Sequence, residues 1–350
     1  VTVAEACIFD RAIEELEETR SALRGDSRTE FSAVLHDAWE TMSRGEVDEA
    51  LAKLQRARAL SESLTFDDTD RAEVLFRLGC CRLKLGAVAN AVQLFTVALE
   101  LADRSGSGCD RLRNDILRWR TRCYRRQRDW DAARADADAA LELAEHLDDV
   151  RRLADSYLQA SQVAERTGQL IVARFYLEHA VELLRAEGDL LDAGKALNNL
   201  GGILFLLGRE DDAKARLDEA FEIALELGDD VDAAYAVSSS AQVLLEGGDA
   251  ENAEARASYA LELLGARRDH AGEIGGLHLV RGRALIELER FDEADEALRR
   301  ADDSFRALDS PGHRARAWLA QGDLAARLGR IEDAAASYRR AAETLQDVRF

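Results

Sequence analysis

The sequence predicts an all-α fold, an α-solenoid of eight helix-turn-helix repeats, on three observations. Its 350 residues contain a single proline. Proline lacks the amide hydrogen and clashes with the preceding helical turn, so its near-absence fits a chain that is helical almost throughout. A turn residue followed five places later by alanine recurs at near-constant intervals, at Gly45, Gly86, Arg128, Gly168, Gly208, Gly248, Glu289 and Gly329. The phase holds beyond each marker. Five residues on stand Ala50, Ala91, Ala133, Ala173, Ala213, Ala253, Ala294 and Ala334, and seven beyond those stand Ala57, Ala98, Ala140, Ala180, Ala220, Ala260, Ala301 and Ala341. Sixteen alanines at fixed phase exceed what an Ala-rich composition produces.

Each element follows from this register. Residues 1–30 stand outside the repeat and read as an N-terminal capping helix. Thr2 and Glu5 have capping-box spacing, and Ile8, Phe9, Ile13 and Leu16 give one apolar face. The first helix of each unit carries a small residue seven places before the marker, as at Gly79, Gly201, Gly282 and Gly322, with Ala38 and Ala241 close to it. The marker then supplies the left-handed backbone that ends the helix. An apolar residue two places on (Val47, Val88, Trp130, Leu170, Phe291 or Ile331) plugs the turn. In the second helix the two alanines lie two helical turns apart, and so share one face on which a neighbouring helix can approach closely. Between them stands a bulky residue, Leu54, Phe95, Leu177, Leu217, Leu298 or Tyr338, reduced to Ala137 and Ala257 in repeats 3 and 6. The chain stops within or just after the last second helix, at LQDVRF, without a polar cap, which points to self-association there, a homodimer through the terminal repeat, or to a chain that once continued.

These features resemble the tetratricopeptide repeat family. The residues that carry the resemblance are the Leu-Gly pairs Leu78-Gly79 and Leu200-Gly201, the turn glycine, the two alanines with a bulky residue between them, and Trp318 at the aromatic position of the first helix. The units are longer than the family's usual repeat and lack a proline after the second helix, as in its long-repeat bacterial variant. The resemblance covers residues 31–350, in units of approximately 31–70, 71–112, 113–152, 153–192, 193–232, 233–273, 274–313 and 314–350. It implies a right-handed superhelix whose first helices line a concave groove that takes extended peptides or helices of partner proteins.

Composition narrows the function. The formal charge of −21 opposes broad binding to nucleic acid or anionic membrane, since phosphate repels it. No apolar run approaches the roughly 20 residues of a membrane span. The acidic N-terminus lacks the basic start and apolar core of a signal peptide. Five cysteines without metal-ligand spacing read as reduced thiols in a cytoplasm. Four lysines against 43 arginines indicate a GC-rich, bacterial coding genome. Six histidines are scattered over different repeats, and no nucleophile, phosphate-loop or metalloprotease motif is present, so neither enzyme nor cofactor nor metal is expected. Acidic pairs such as Asp67-Asp68, Asp148-Asp149 and Asp229-Asp230 fall at helix ends, where capping and the helix dipole explain them.

One stretch departs from the acidic background. From Arg111 to Arg128 there are eight arginines and one acid, Asp115. Arg118, Arg122 and Arg125 lie four and three places apart, on one helical face. The repeat phase, read on the family's pattern, turns that face into the groove. The same phase places Phe76 there in repeat 2, Gln162 in repeat 4, Asn198 and Asn199 in repeat 5, and Ser238 and Gln242 in repeat 6. Guanidinium groups hold carboxylate or phosphate bidentately. Trp39, Met42, Phe76 and Leu83 offer apolar contact, and the amides offer hydrogen bonds to a peptide backbone. A solvated face paired laterally, for example Arg125 with Glu165, is the structural alternative, and exposed pairs contribute only about 0–1 kcal/mol each. The family's two-carboxylate clamp of Lys and Asn is absent: Leu158 and Gln162 stand at its positions in repeat 4, and Tyr235 and Ser239 in repeat 6.

The expectation is therefore a non-enzymatic scaffold or adaptor that holds an acidic or amphipathic protein segment in its groove. The alternative is a ligand-responsive regulator that acts through a separate output partner.

Overall fold

A computed structural model describes residues 28–62, 66–265 and 270–347. Among these residues every regular element is helical. The expected capping helix lies outside them, apart from its last three residues.

Two compact units divide the chain after Thr167. The first holds α1 (28–43), α2 (Val47–Ser61), α3 (Asp68–Lys84), α4 (Val88–Arg104), a short 3-10 turn at Ser107–Cys109, α5 (Asp110–Gln127), α6 (Trp130–His146) and α7 (Val150–Arg166). The second holds α8 (Leu170–Ala186), α9 (Leu190–Leu206), α10 (Glu210–Leu227), α11 (Asp230–Glu246), α12 (Ala250–Leu264), α13 (Ala271–Glu287), α14 (Phe291–Ala307), α15 (Pro311–Arg327) and α16 (Ile331–Asp347). From α3 onward each first helix starts three residues before the boundary set by the repeat spacing. Within each unit, successive helices pack as antiparallel hairpins, for instance α3 on α4 and α13 on α14.

The turn markers behave as the register requires. All eight have positive φ, from 57° at Glu289 to 89° at Gly45. At Gly208 the amide donates to Phe205 O at 2.9 Å, and the next amide, Arg209, donates to Leu204 O at 2.9 Å, which closes the helix end. Arg128 and Glu289 adopt the same conformation without glycine's freedom, a strain of roughly 1–2 kcal/mol each.

Close helix approach explains the alanines. All sixteen are buried, none more than 4% exposed. The small first-helix residue receives the bulky residue of its second helix. A β-carbon on Gly79 would stand 2.5 Å from Phe95 Cε1, and one on Gly282 2.6 Å from Leu298 Cδ2. Where the small residue grows to Ala241 or Thr121, the facing register position shrinks to Ala257 or Ala137. In these two hairpins a larger residue on one helix is matched by a smaller one on the other, as close packing favours.

The acidic pairs serve as caps. Asp67 accepts from the Asp70 amide in a capping box, and Asp149 and Asp229 accept from Arg152 and Asp232. The single proline occupies the first turn of α15, where its missing amide hydrogen costs nothing.

Candidate binding site

The arginine block lies on α5, and its members separate into two groups. The first group finds carboxylates. Arg118 is 7% exposed and donates to Asp115 Oδ1 at 3.1 Å and to Asp155 Oδ2 on α7. Arg152 completes a ladder between α5 and α7, donating to Asp115 Oδ2 at 2.9 Å and to Asp149. Arg151 reaches Asp155 at 3.5 Å, and Arg77 pairs with Glu73 at 2.6 Å. Arg113 pairs with Asp103 and Asp110, and Arg120 with Asp136 on α6. A pocket of about 540 Å³ bordered by Trp39, Phe76, Arg118 and Arg152 is therefore lined by charges that answer one another.

The second group is different. Leu83, Lys84, Trp119, Arg122, Arg125, Arg126, Trp130, Gln159, Gln162 and Arg166 line a pocket of about 560 Å³ with no acidic side chain in its wall. Lys84, Arg122, Arg125, Arg126 and Arg166 form no ion pair among the described residues. Arg125 Nη1 donates to the amide oxygens of Gln159, at 3.3 Å, and Gln162. Arg126 Nη1 donates to Leu83 O at 3.0 Å, and Lys84 Nζ to Met42 O at 3.2 Å. Arg122 lies over the Trp119 ring, 4.7 Å from its centroid, and makes no hydrogen bond among the described residues. Burial, and then the neighbouring charges of Arg118 and Arg126, push the Arg122 guanidinium below its usual pKa range, and Asp155 offsets part of that shift. Arg125 moves the same way, through burial first and then Arg122 and Arg166, with the nearby charge of Glu165 opposing.

Local structure explains part of this arrangement. Lys84, Arg125, Arg126 and Arg166 sit in the last turns of α3, α5 and α7. Each helix C-terminus supplies roughly half a negative charge, which favours a cation there. Three such ends leave most of five positive charges uncompensated. The pocket can therefore attract a multiply charged anion, and its two indoles can cover apolar atoms beside that charge.

The remaining expected residues are placed as follows. Phe76 is 6% exposed, in a core ring cluster with Trp39, Phe95 and Trp119. Leu35, Met42 and Leu83 are also buried and pack between neighbouring helices, and core packing is the favoured reading of Trp39 and Phe76 from the sequence as well; Trp39, Phe76 and Leu83 border the pockets only at their edges. Gln162 lines the cationic pocket. In the second unit Asn198 and Asn199 border a smaller pocket of about 240 Å³ with Lys195, Asp232 and Tyr235. The side-chain oxygen of Asn198 is buried without a hydrogen-bond partner among the described residues, whereas Lys195 pairs with Asp192 at 3.2 Å and Asp232 at 3.5 Å. Ser238 donates to Glu273, and Gln242 is exposed. Arg118 departs from the expectation that the three arginines act together, since neighbouring carboxylates take up its charge. The alternative Arg125–Glu165 ion pair does not form, although Glu165 lies near enough to act on Arg125 through its charge; the two glutamines hold Arg125.

Sequence reasoning passed over Lys84, Arg166, Trp119 and Trp130. A signal for two of them exists: Lys84 stands one repeat before Arg126 and Arg166 one repeat after it, all three at the same phase. Among the described residues, no helix is long and apolar enough to cross a membrane, and no cluster of side chains is arranged to hold a metal ion.

Known proteins place this architecture. The sequence profile of the tetratricopeptide repeat matches residues 38–106 and 279–347. No curated protein matches the sequence. Among solved structures, the apo form of the quorum sensor NprR from B. thuringiensis superposes with a TM-score of 0.70 at 13% identity, over 96% of this chain and 95% of that one. A Rap protein complexed with Competence and Sporulation Factor gives 0.62 at 16% identity, over 91% and 98%. A signal-transduction ATPase with a tetratricopeptide repeat sensor from Pyrococcus horikoshii gives 0.64 at 15% identity, over 85% of this chain and 43% of that one. At these identities the likeness is one of fold.

Proposed function

The chain is a tetratricopeptide-repeat protein, and from that premise we propose that it is a cytoplasmic, non-enzymatic receptor for an acidic segment of a protein or peptide partner. The segment lies across α3, α5 and α7 of the first unit. One observation carries this reading: five cations line one pocket, and among the described residues no carboxylate lines it or forms an ion pair with them, in a protein of net charge −21. Recognition needs no chemistry beyond charge and apolar contact. Arg122, Arg125, Arg126, Arg166 and Lys84 hold carboxylates, while Trp119 and Trp130 cover neighbouring apolar groups. The acidic remainder of the surface repels other anions and so sharpens the choice of docking place. The four described cysteines, free and buried, fit a reducing compartment.

The test uses a fluorescein-labelled deca-glutamate peptide titrated with the full chain and followed by anisotropy. Binding is expected to weaken steeply with salt and to fall at least about tenfold in an Arg122→Gln, Arg125→Gln, Arg126→Gln variant that keeps its helical circular dichroism. A control replaces Arg299 and Arg300, which pair with Asp295 and Glu296 in the second unit. Equal affinity in both variants would place the binding elsewhere and end this reading.

A second reading has one observation in its favour. The quorum sensor NprR shares this fold over nearly the whole of both chains, and a Rap protein of the same fold was crystallised with Competence and Sporulation Factor. On that reading the array is a ligand-responsive regulator, and ligand binding changes its dimensions. Small-angle scattering with and without the bound peptide separates the two: an unchanged radius of gyration supports the receptor alone.

A further inference from the structure

We infer that the cationic pocket of the first unit is a phosphoryl site, which takes a phosphomonoester carried on the partner segment. This rests on the acidic-segment reading above and narrows it to one anion.

Five cations face the cavity and no acid lines it. The three helix ends offset roughly one and a half charges in total. A single carboxylate would leave the pocket strongly positive. A phosphomonoester brings about two negative charges and three strong acceptor oxygens in one compact group.

Among the described residues, Arg122 uses none of its N–H groups, and Arg166 makes neither a hydrogen bond nor an ion pair. Arg125 and Arg126 are engaged through Nη1 alone, so Nε and Nη2 of each remain available. Such a set suits a ligand with many acceptors. It also stands ready before binding: Trp119 backs Arg122, two amide oxygens hold Arg125, and Leu83 O holds Arg126. Holding the donors in place beforehand reduces the ordering cost of association.

The side chains of α7 change from charged to neutral where the helix reaches the pocket. One turn earlier on the same face, the helix presents Asp155, which pairs with Arg118 and Arg151. At the pocket it presents Gln159 and Gln162. Glutamate at either position would reach Arg125 with the same geometry and neutralise it. The neutral amides position the guanidinium and leave its charge for a ligand.

The experiment compares three fluorescein-labelled ten-residue peptides of Glu and Ser, identical except for one central residue: phosphoserine, glutamate or serine. Each is titrated with the full chain at pH 7.5. The phosphoserine peptide is expected to bind about tenfold or more tightly than the glutamate peptide. Its advantage should shrink between pH 7 and 5.5, as the phosphate takes up its second proton near a pKa of about 6. The advantage should also disappear in Arg122→Gln, while that variant's circular dichroism stays unchanged. Equal affinity for phosphoserine and glutamate, both lost in Arg122→Gln, would overturn the phosphoryl assignment and leave the acidic-segment reading standing. No binding of any peptide, or binding indifferent to Arg122→Gln, would overturn both. Inorganic phosphate that displaces the phosphopeptide at equal concentration would overturn the role of the segment, because the anion alone would then be the ligand.

Discussion

Arg120 and Asp136 form a two-point ion pair, Nε to Oδ2 at 2.7 Å and Nη2 to Oδ1 at 2.8 Å, and join α5 to α6. Both side chains are largely shielded, 13% and 8% exposed. Arg120 Nη1 also donates to Thr96 Oγ1 on α4 at 3.1 Å. Loss of one partner strands the other charge in a dehydrated site. Asp136→Ala should therefore lower unfolding free energy by about 3–5 kcal/mol in urea titrations followed by circular dichroism. The double replacement Arg120→Met, Asp136→Leu should recover most of it. A single-variant loss under about 1 kcal/mol would mean that water screens the pair.

Arg118 and Arg122 are one helical turn apart and should respond in opposite directions. Arg118 bridges Asp115 and Asp155, so Arg118→Met removes a shared buried partner, leaves these carboxylates only Arg152 and Arg151, and should lower the Tm. Arg122 is partly buried beside like charges with no acid in contact, so Arg122→Met should raise it by a few degrees, on the order of 1 kcal/mol. Differential scanning calorimetry decides. A lowered Tm in both variants would show that the Trp119 ring stabilises Arg122 by more than the like charges around it cost.

A β-carbon on Gly201 would stand 2.6 Å from Leu217 Cγ. Gly201→Ala should therefore cost about 1–3 kcal/mol by overpacking. In Gly201→Ala combined with Leu217→Ala, the two changes should offset one another by at least about 1 kcal/mol in a double-mutant cycle. The natural pairing of Ala241 with Ala257 at the same register is the precedent. Strict additivity would refute direct contact between the two positions.

His278 is 8% exposed, its Nδ1 lacks a hydrogen-bond partner among the described residues, and burial, then Arg300 and Arg281, bring its pKa down to about 4. Glu296 opposes that shift. Unfolded, the imidazole titrates near its ordinary 6.5. The unfolded chain thus takes up the proton first. The stability His278 contributes is fully present above pH 6.5, falls as pH drops below it, and is lost by about pH 4. Between pH 7.5 and pH 5 the wild type should lose about 2 kcal/mol relative to His278→Leu in urea unfolding. Parallel pH profiles for the two proteins would count against the shifted pKa.

The hairpins, the turns and the buried alanine face were legible in the linear pattern. They rest on interactions within one helix, one turn or one pair of neighbouring helices, and the chain states the same solution in every repeat. Even Arg128 and Glu289, which lack glycine's freedom, were located by phase alone. The arginine block was legible as a feature, and Arg122 and Arg125 within it as pocket residues. Which of its charges stay free was not. Arg118 meets Asp155 across 37 positions, and Arg120 meets Asp136 across 16. Lys84 and Arg166 join Arg125 from helices on either side. Helical spacing specifies a face, but the balance of charge on that face depends on what neighbouring helices present to it. The sequence alone therefore determined the repeat architecture, since its packing is periodic and nearest-neighbour. Only the tertiary structure decided where positive charge remains unanswered, since that sum runs over side chains that meet only in the folded unit.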